Sequence, residues 1–337
     1  MNALEMTVGE LRQKLESYLG GWLSGESARL TAQSIVDNAL RKDSRMDPLA
    51  AVAADFQKFE AAERPSVKVV SESLAVQMWD LNGAPGVCYL GDLLVAARAV
   101  ATKAGVGIIG LRNSGGVHEL SQYVDGLAEE GFVTLFLWNG GSYTTVPHGS
   151  SEPFFGTNPI GFGIPTNQRP ITADFATSEI PFRNLMIALK GNENLPAGSG
   201  VDAEGNDSID PRKVYDVDGD DMVRLKPMGG GHKGSAVMLL AEVLTGALVG
   251  GVMARSATDD PFTPEEFGGL FICINPAAFG TELTFKRDVQ VMADAIRSSR
   301  PAPGFETVLL PGDQAYLREA GHGGKLEVPS GLLELLS

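Results

Sequence analysis

Hydrophobic positions recur with a helical period through the first sixty residues. Thr7-Val8-Gly9-Glu10 has the spacing of a capping box, and Leu11, Leu15, Tyr18 and Leu19 follow on one face. Gly20-Gly21 stops that helix. A second apolar stripe runs through Ala28, Leu30, Ile35, Val36 and Leu40, and a third helix is predicted from Pro48, a good first-turn residue, to about Phe59. The period then changes. Val67 to Val70 and Leu74 to Trp79 read as strands, with Asn82-Gly83 as a turn signal. A helix is predicted from Gly91 to Ala104. Val106 to Leu111 is a wholly apolar strand of the kind buried on both faces.

Helix (about His118 to Glu130) and strand (Phe132 to Trp138) follow, then strands at Asn158 to Ile164 and Pro170 to Phe175. Residues 191–230, rich in Gly, Asn and Asp, read as a long excursion of the functional or mobile kind. Beyond it come a strong helix from about His232 to Leu248, a strand at Gly269 to Ile274 and a helix at Thr281 to Ser299. A strand at Thr307 to Leu310 and a helix at Asp313 to Ala320 close the series. Helices come first and mixed α/β after, with no repeat and no clean linker; the expected class is α/β.

A chain of 337 residues is too long for one small core and suits one large α/β unit or two interleaved ones. Membrane helices need about 18–20 consecutive apolar residues; the nearest stretch, Ser235 to Val252, is broken by Glu242, Thr245 and Gly246. Glu5 and Glu10 spoil any signal-peptide pattern, so the expected compartment is the cytoplasm. Cys88 and Cys273 lie in apolar stretches and read as buried thiols. A net charge of −15 argues against nucleic acid and anionic membranes as partners. An anionic small molecule would then need local devices such as helix N-termini, Gly-rich loops and single cations.

Gly105-Val106-Gly107-Ile108-Ile109-Gly110 spells a dinucleotide fingerprint, but a helix precedes it and the glycines lie within a strand, so close packing is the reading adopted. Gly229-Gly230-Gly231-His232-Lys233-Gly234-Ser235 opens a long apolar helix. Free N–H groups, the helix dipole and Lys233 there favour a phosphate; the alternative is a flexible turn with an exposed Lys. Gly156-Thr157-Asn158-Pro159 and Asp174-Phe175-Ala176-Thr177-Ser178 each join a strand to a polar turn, where Asp174 suits ribose hydroxyls or, more plainly, a cap. His118, His148, His232 and His322 have no metal-ligand spacing, so no metal is expected.

Taken in order, several segments carry a resemblance. They are Arg112-Asn113-Ser114, Val146-Pro147-His148-Gly149, Gly156 to Pro159, Asp174 to Ser178, Leu195-Pro196-Ala197-Gly198, Asp202 to Gly205, Asp210-Pro211, Gly229 to Gly234 and Pro311-Gly312-Asp313. The chain resembles the type-2 malate/L-lactate dehydrogenase family, which includes ureidoglycolate and sulfolactate dehydrogenases and piperideine-carboxylate reductases. The resemblance implies a mixed-sheet NAD(P)-binding domain, not a standard Rossmann fold, with a helical domain from both termini. The implied boundaries are 1–105 for a helical, substrate-side domain, 106–265 for the inserted cofactor domain and 266–337 for a returning segment. It implies NAD or NADP as cofactor, a small-molecule substrate and a homodimer with the active site near the interface.

By the same resemblance, His232 and Lys233 hold cofactor phosphate or ribose. Gly116, Val117, His118, Glu119, Leu120, Asn139, Asp174, Phe175, Ala176, Pro311, Gly312 and Asp313 line the cofactor, and Thr157 reaches the substrate. The departures are specific. The family's early Asp-Ser-His-Gly, whose His donates a proton, reads Asp43-Ser44-Arg45-Met46 here, and the Arg that grips the substrate carboxylate is replaced by Leu49. The usual His after Asn-Ser-Asn is Gly116, with His118 two residues on, and the relay Asp of the imine reductases is Asn184.

A guanidinium is a poor proton donor and a good carboxylate binder, so Arg45 is a candidate for substrate gripping, with a surface Arg as the alternative. The proton must then come from His148, the first candidate, or His118, the second; Ser44 or water suffices for an already protonated imine. The expected activity is hydride transfer between NAD(P)H and a small carboxylate-bearing imine or 2-oxo/2-hydroxy acid. The alternatives are a non-redox enzyme or a non-catalytic cofactor-binding protein on the same scaffold.

Overall fold

The computed structural model describes residues 4–42, 47–61, 67–140, 143–253, 267–280 and 282–337. Ser44 and Arg45 therefore lie outside the described residues. The chain begins with strand β1 (Leu4–Thr7) and helices α1 (Val8–Leu19), α2 (Gly25–Arg41) and α3 (Pro48–Ala61). The capping box closes as expected: the Thr7 hydroxyl accepts from the Glu10 N–H, and the Glu10 carboxylate accepts from the Thr7 N–H at 3.0 Å. Leu11, Leu15 and Leu19 are fully buried along one face of α1.

Next come β2 (Lys68–Glu72), β3 (Val76–Asp80), α4 (Leu90–Ala104), β4 (Val106–Ser114), α5 (Ser121–Glu129) and β5 (Val133–Trp138). Then follow β6 (Ile160–Ile164), β7 (Ile171–Phe175), α6 (Phe182–Gly191), β8 (Gly200–Val201), β9 (Asp207–Ser208), α7 (Pro211–Val214) and α8 (His232–Thr245). The chain ends with β10 (Phe267–Ile274), α9 (Glu282–Arg297), α10 (Asp313–Gly321), β11 (Lys325–Val328) and α11 (Ser330–Leu335).

Seven strands form one mixed sheet in the order β2-β3-β4-β10-β5-β6-β7, antiparallel throughout except for the β3–β4 pair. Segments 1–105, 106–265 and 266–337 all contribute to this sheet. Helices α4 and α5 pack on one face, and the end of α8 meets the other, where the Thr245 carbonyl abuts Gly268. Close packing explains the apparent fingerprint. A Cβ at Gly107 would lie 2.9 Å from the Ala97 carbonyl, and one at Gly110 would lie 2.7 Å from the Met78 sulfur. The two termini meet: β1 pairs with β11, from Leu4 opposite Val328 to Thr7 opposite Lys325, and α11 packs on α3.

Several expectations need correction. The helix expected from His118 begins at Ser121, because His118 is held at φ 56, a left-handed conformation that a helix cannot include. Thr307 to Leu310 is not a strand: the Leu310 N–H is taken by the Asp313 carboxylate at 2.9 Å, and Leu309 is exposed. The 191–230 excursion is a packed lobe rather than a loop. Ile180, Leu185, Leu195, Val214, Val223 and Leu225 bury a second apolar core there, around α6, α7 and the β8–β9 pair.

Candidate functional site

Five chain segments meet along β7 and the turn that follows it. The Ser121 N–H, at the start of α5, donates to the Asp174 carboxylate at 3.2 Å. The Thr157 carbonyl accepts from the Thr177 N–H at 2.9 Å, which ties the 156–158 turn to the strand end. The Met228 N–H donates to the Thr177 carbonyl, and the Gly229 N–H donates to the Glu179 carboxylate at 2.6 Å. That pairing sets the Gly-rich turn beside the same strand end. From the last segment, Gly312 (φ 90) comes so close to β7 that a Cβ would lie 3.0 Å from the Thr172 carbonyl.

The Gly-rich turn delivers the start of α8 as the sequence suggests. Gly229 and Gly230 have φ of 66 and 59, the N-cap is Gly231, and no side chain caps the helix. His232 and Lys233 are exposed in its first turn. Uncapped N–H groups and the dipole there fit an anion. His148 stands beside this end. Its N–H donates to the Ser235 hydroxyl at 2.7 Å, and its ring centroid is 6.2 Å from that of His232. His148 lines a cavity of about 340 Å³ with Lys226 and Gly230, whereas His118 lines another.

On the other side of Asp174 lies a cavity of about 420 Å³, lined by Asp174, Phe175, Pro311, Gly312, Tyr316 and Arg318 among others. Its wall is stiffened by Arg41, which pairs with Asp125 and with Glu319 at 3.0 Å and lies 4.9 Å over the Tyr316 ring. Those contacts join α2, α5 and α10, and the surrounding carboxylates hold the guanidinium pKa above its ordinary value despite burial. Asp174 is half-buried, and its carboxyl is pushed up to about 7, first by burial and then by the nearby Glu119. Lys42 opposes the shift and forms an ion pair with Glu119.

A smaller cavity of about 260 Å³ is lined from α2, the start of α3, the 118–122 segment and α6. Asn38, Asp47, Val52, His118, Glu119 and Arg183 are among its lining residues. His118 Nε2 lies 2.7 Å from the Asp55 carboxylate on α3. Asp55 thus orients the imidazole and leaves Nδ1 as the nitrogen available for proton exchange.

The other expected residues fall as follows. Thr157 is half-buried, and Asn184 is exposed on α6, next to Arg183, outside the lining of the small cavity. Val117 and Leu120 bury their side chains in the core, and the Gly116 carbonyl accepts from the Gly86 N–H at 2.9 Å. Ala176 is half-buried. Asn139 is fully buried, its amide directed to Glu242 and to the Val252 carbonyl at 3.0 Å. The Asp313 carboxylate is held by Arg297, at 2.7 and 2.9 Å, and by the Leu310 N–H.

Sequence reasoning did not find Asp55, Lys42 or Arg183. For Asp55 a signal exists: it is the lone charge in the apolar run Leu49 to Phe56. Arg183 also leaves one, as a cation in the first turn of a helix, where the dipole disfavours it.

Comparison with known proteins identifies the family and the fold. The family model for malate/L-lactate dehydrogenase matches residues 9–336. A Delta(1)-pyrroline-2-carboxylate/Delta(1)-piperideine-2-carboxylate reductase of Pseudomonas syringae pv. tomato is 35% identical over 239 residues, covering 67% of this chain and 64% of that protein, so the match spans just under two thirds of its length. An L-sulfolactate dehydrogenase of Methanocaldococcus jannaschii is 30% identical over 253 residues, 74% of this chain and 70% of that one. The structure of a sulfolactate dehydrogenase from that organism superposes with a TM-score of 0.80 at 26% identity, covering 99% of this chain and 95% of the other. The mixed sheet, the joined termini and a family match over nearly the whole length place this chain in the malate/L-lactate dehydrogenase family.

Proposed function

We propose that this protein is an NAD(P)H-dependent oxidoreductase acting on a small carboxylate-bearing imine or 2-oxo/2-hydroxy acid. One observation carries the reading: the 116–121, 156–158, 174–179, 228–229 and 311–313 segments meet along β7 and the turn after it. The residues fit a dinucleotide. An uncapped helix start with Lys233 suits phosphate, and a half-buried Asp174 beside Phe175 suits a ribose.

When bound, the cofactor supplies or accepts the hydride. His118, oriented by Asp55, holds the proton at Nδ1 and exchanges it with the substrate's nitrogen or oxygen; the smaller cavity is the substrate site. A cytoplasmic setting fits Cys88 and Cys273, which are buried free thiols. No helix of the described residues is long and apolar enough to cross a membrane.

Fluorescence titration with NADH and NADPH tests the reading and chooses the cofactor. Saturable binding is expected, and Lys233→Ala weakens it by about tenfold, the worth of one charge-assisted phosphate contact. Failure of both nucleotides to bind at millimolar concentration would transfer the scaffold to the non-redox alternatives. Unchanged affinity in the variant would remove Lys233 from the phosphate site.

We also propose a homodimer. Leu239, Leu240 and Val243 on α8 are 52%, 57% and 42% exposed, an apolar face directly behind the helix start that holds the anion site. The wild type is expected to sediment as a dimer and Leu240→Glu as a monomer. A dimeric variant would place the interface elsewhere.

A further inference from the structure

We infer that Arg183 is the carboxylate anchor of the smaller cavity, and that the cavity selects compact monocarboxylates. The inference rests on that cavity's being the substrate site. Among the described residues, His118 and Arg183 are the cationic or imidazole groups that line the cavity, and Arg41 and Lys42 stand behind it on α2 and its C-cap; of these four, Arg183 alone has no carboxylate partner. Lys42 is paired with Glu119, and Arg41 is locked among Asp125, Glu319 and Tyr316. The His118 imidazole is engaged by Asp55. Among the described residues no carboxylate pairs with Arg183, which lines the cavity and is exposed.

Neither described acidic residue of the wall pairs with Arg183. Asp47 accepts the Ala50 N–H at 2.9 Å as a cap on α3, and Glu119 is held by Lys42. The placement of Arg183 is costly in itself, as a cation at the positive end of the ten-residue helix α6. Phe182 and Leu185 fix that helix by packing into the second core. A guanidinium kept unpaired against the dipole, in a chain of net charge −15, is a site prepared for an anion.

Size and charge narrow the ligand. The cavity of about 260 Å³ is the smallest of the three around this site. That suits a five- or six-membered cyclic imine carboxylate or a short 2-oxo acid. A second carboxylate would face the Asp47 carboxylate, and among the described residues no further unpaired cation lines the cavity. Leu49, at the start of α3, is 2% exposed and forms part of the core.

Calorimetry with unreactive furans tests this without turnover. The probes are 2-furoate, its neutral amide 2-furamide and furan-2,5-dicarboxylate, added to the wild-type protein with and without NADPH. The expected order is furoate tightest, with the amide and the dicarboxylate each about tenfold weaker or more. Arg183→Gln should remove the preference for furoate over the amide, and Arg183→Lys should restore part of it.

Equal binding of furoate and furamide by the wild type, or furoate binding unchanged in Arg183→Gln, would overturn the anchor. Tighter binding of the dicarboxylate would overturn the monocarboxylate class. Arg183-dependent furoate binding in a protein that reduces no imine or 2-oxo acid would uphold the anchor while the redox reading fell.

Discussion

His118→Gln is expected to lower kcat by about 10²–10⁴-fold, the range that a positioned acid contributes, while the cofactor's affinity stays near the wild-type value. The separation follows from position. The His118 ring lines the small cavity and bonds to α3 through Asp55, whereas the proposed phosphate contacts lie at the start of α8. Asp55→Asn keeps a hydrogen-bonding group beside the His118 Nε2 but removes the carboxylate's charge. It should lose less than His118→Gln, and the double variant should lose no more than His118→Gln alone, because the two residues act as a unit. Wild-type kcat in His118→Gln, with a loss in His148→Gln instead, would hand the proton to the imidazole beside α8.

The sequence exposes some of this and hides the rest for physical reasons. Helix α1 is legible because its signals are local: a capping box over four residues and a leucine stripe. The Gly-rich turn is legible for the same reason. The second core was misread because it is assembled from Ile180, Leu185, Leu195, Val214, Val223 and Leu225, apolar residues spread through polar, Gly-rich sequence with no regular period. The β1–β11 pair joins the two ends of the chain, and no local window contains both strands.

The site divides in the same way. Asp174 and Lys233 are candidates from sequence because each belongs to a compact motif. Asp55 and His118 are 63 positions apart, and their hydrogen bond exists only through the packing of α3 near the α5 entry loop. Sequence alone favours His148 over His118 as the proton donor. The structure gives His118 the carboxylate partner, which a left-handed turn at φ 56 helps to aim.

Asp174→Asn is expected to make the protein more stable and its cofactor binding weaker. Burial and the neighbouring Glu119 push the Asp174 carboxyl up to about 7, from an ordinary value of 3.8. The folded pKa exceeds the unfolded one, so between about pH 4 and 7 the native protein holds more protons than the unfolded chain. Stability is then greatest below the unfolded value, falls as pH rises, and carries the whole penalty above about 7. A shift of this size is worth at most about 4 kcal/mol, and less where the proton is shared with Glu119.

An amide carries no charge to desolvate. In urea melts, Asp174→Asn should exceed the wild type at pH 8 and converge with it near pH 4. The ionised carboxylate is also the better acceptor for ribose hydroxyls, so the wild type should bind NAD(P)H more tightly as pH rises through 7, while Asp174→Asn loses that dependence. A variant less stable than the wild type at pH 8 would mean that the charge is satisfied where it sits. Equal pH dependence of cofactor affinity in both proteins would separate Asp174 from the ribose. The two results together would return the residue to the plainer part of a cap on α5, through the Ser121 N–H.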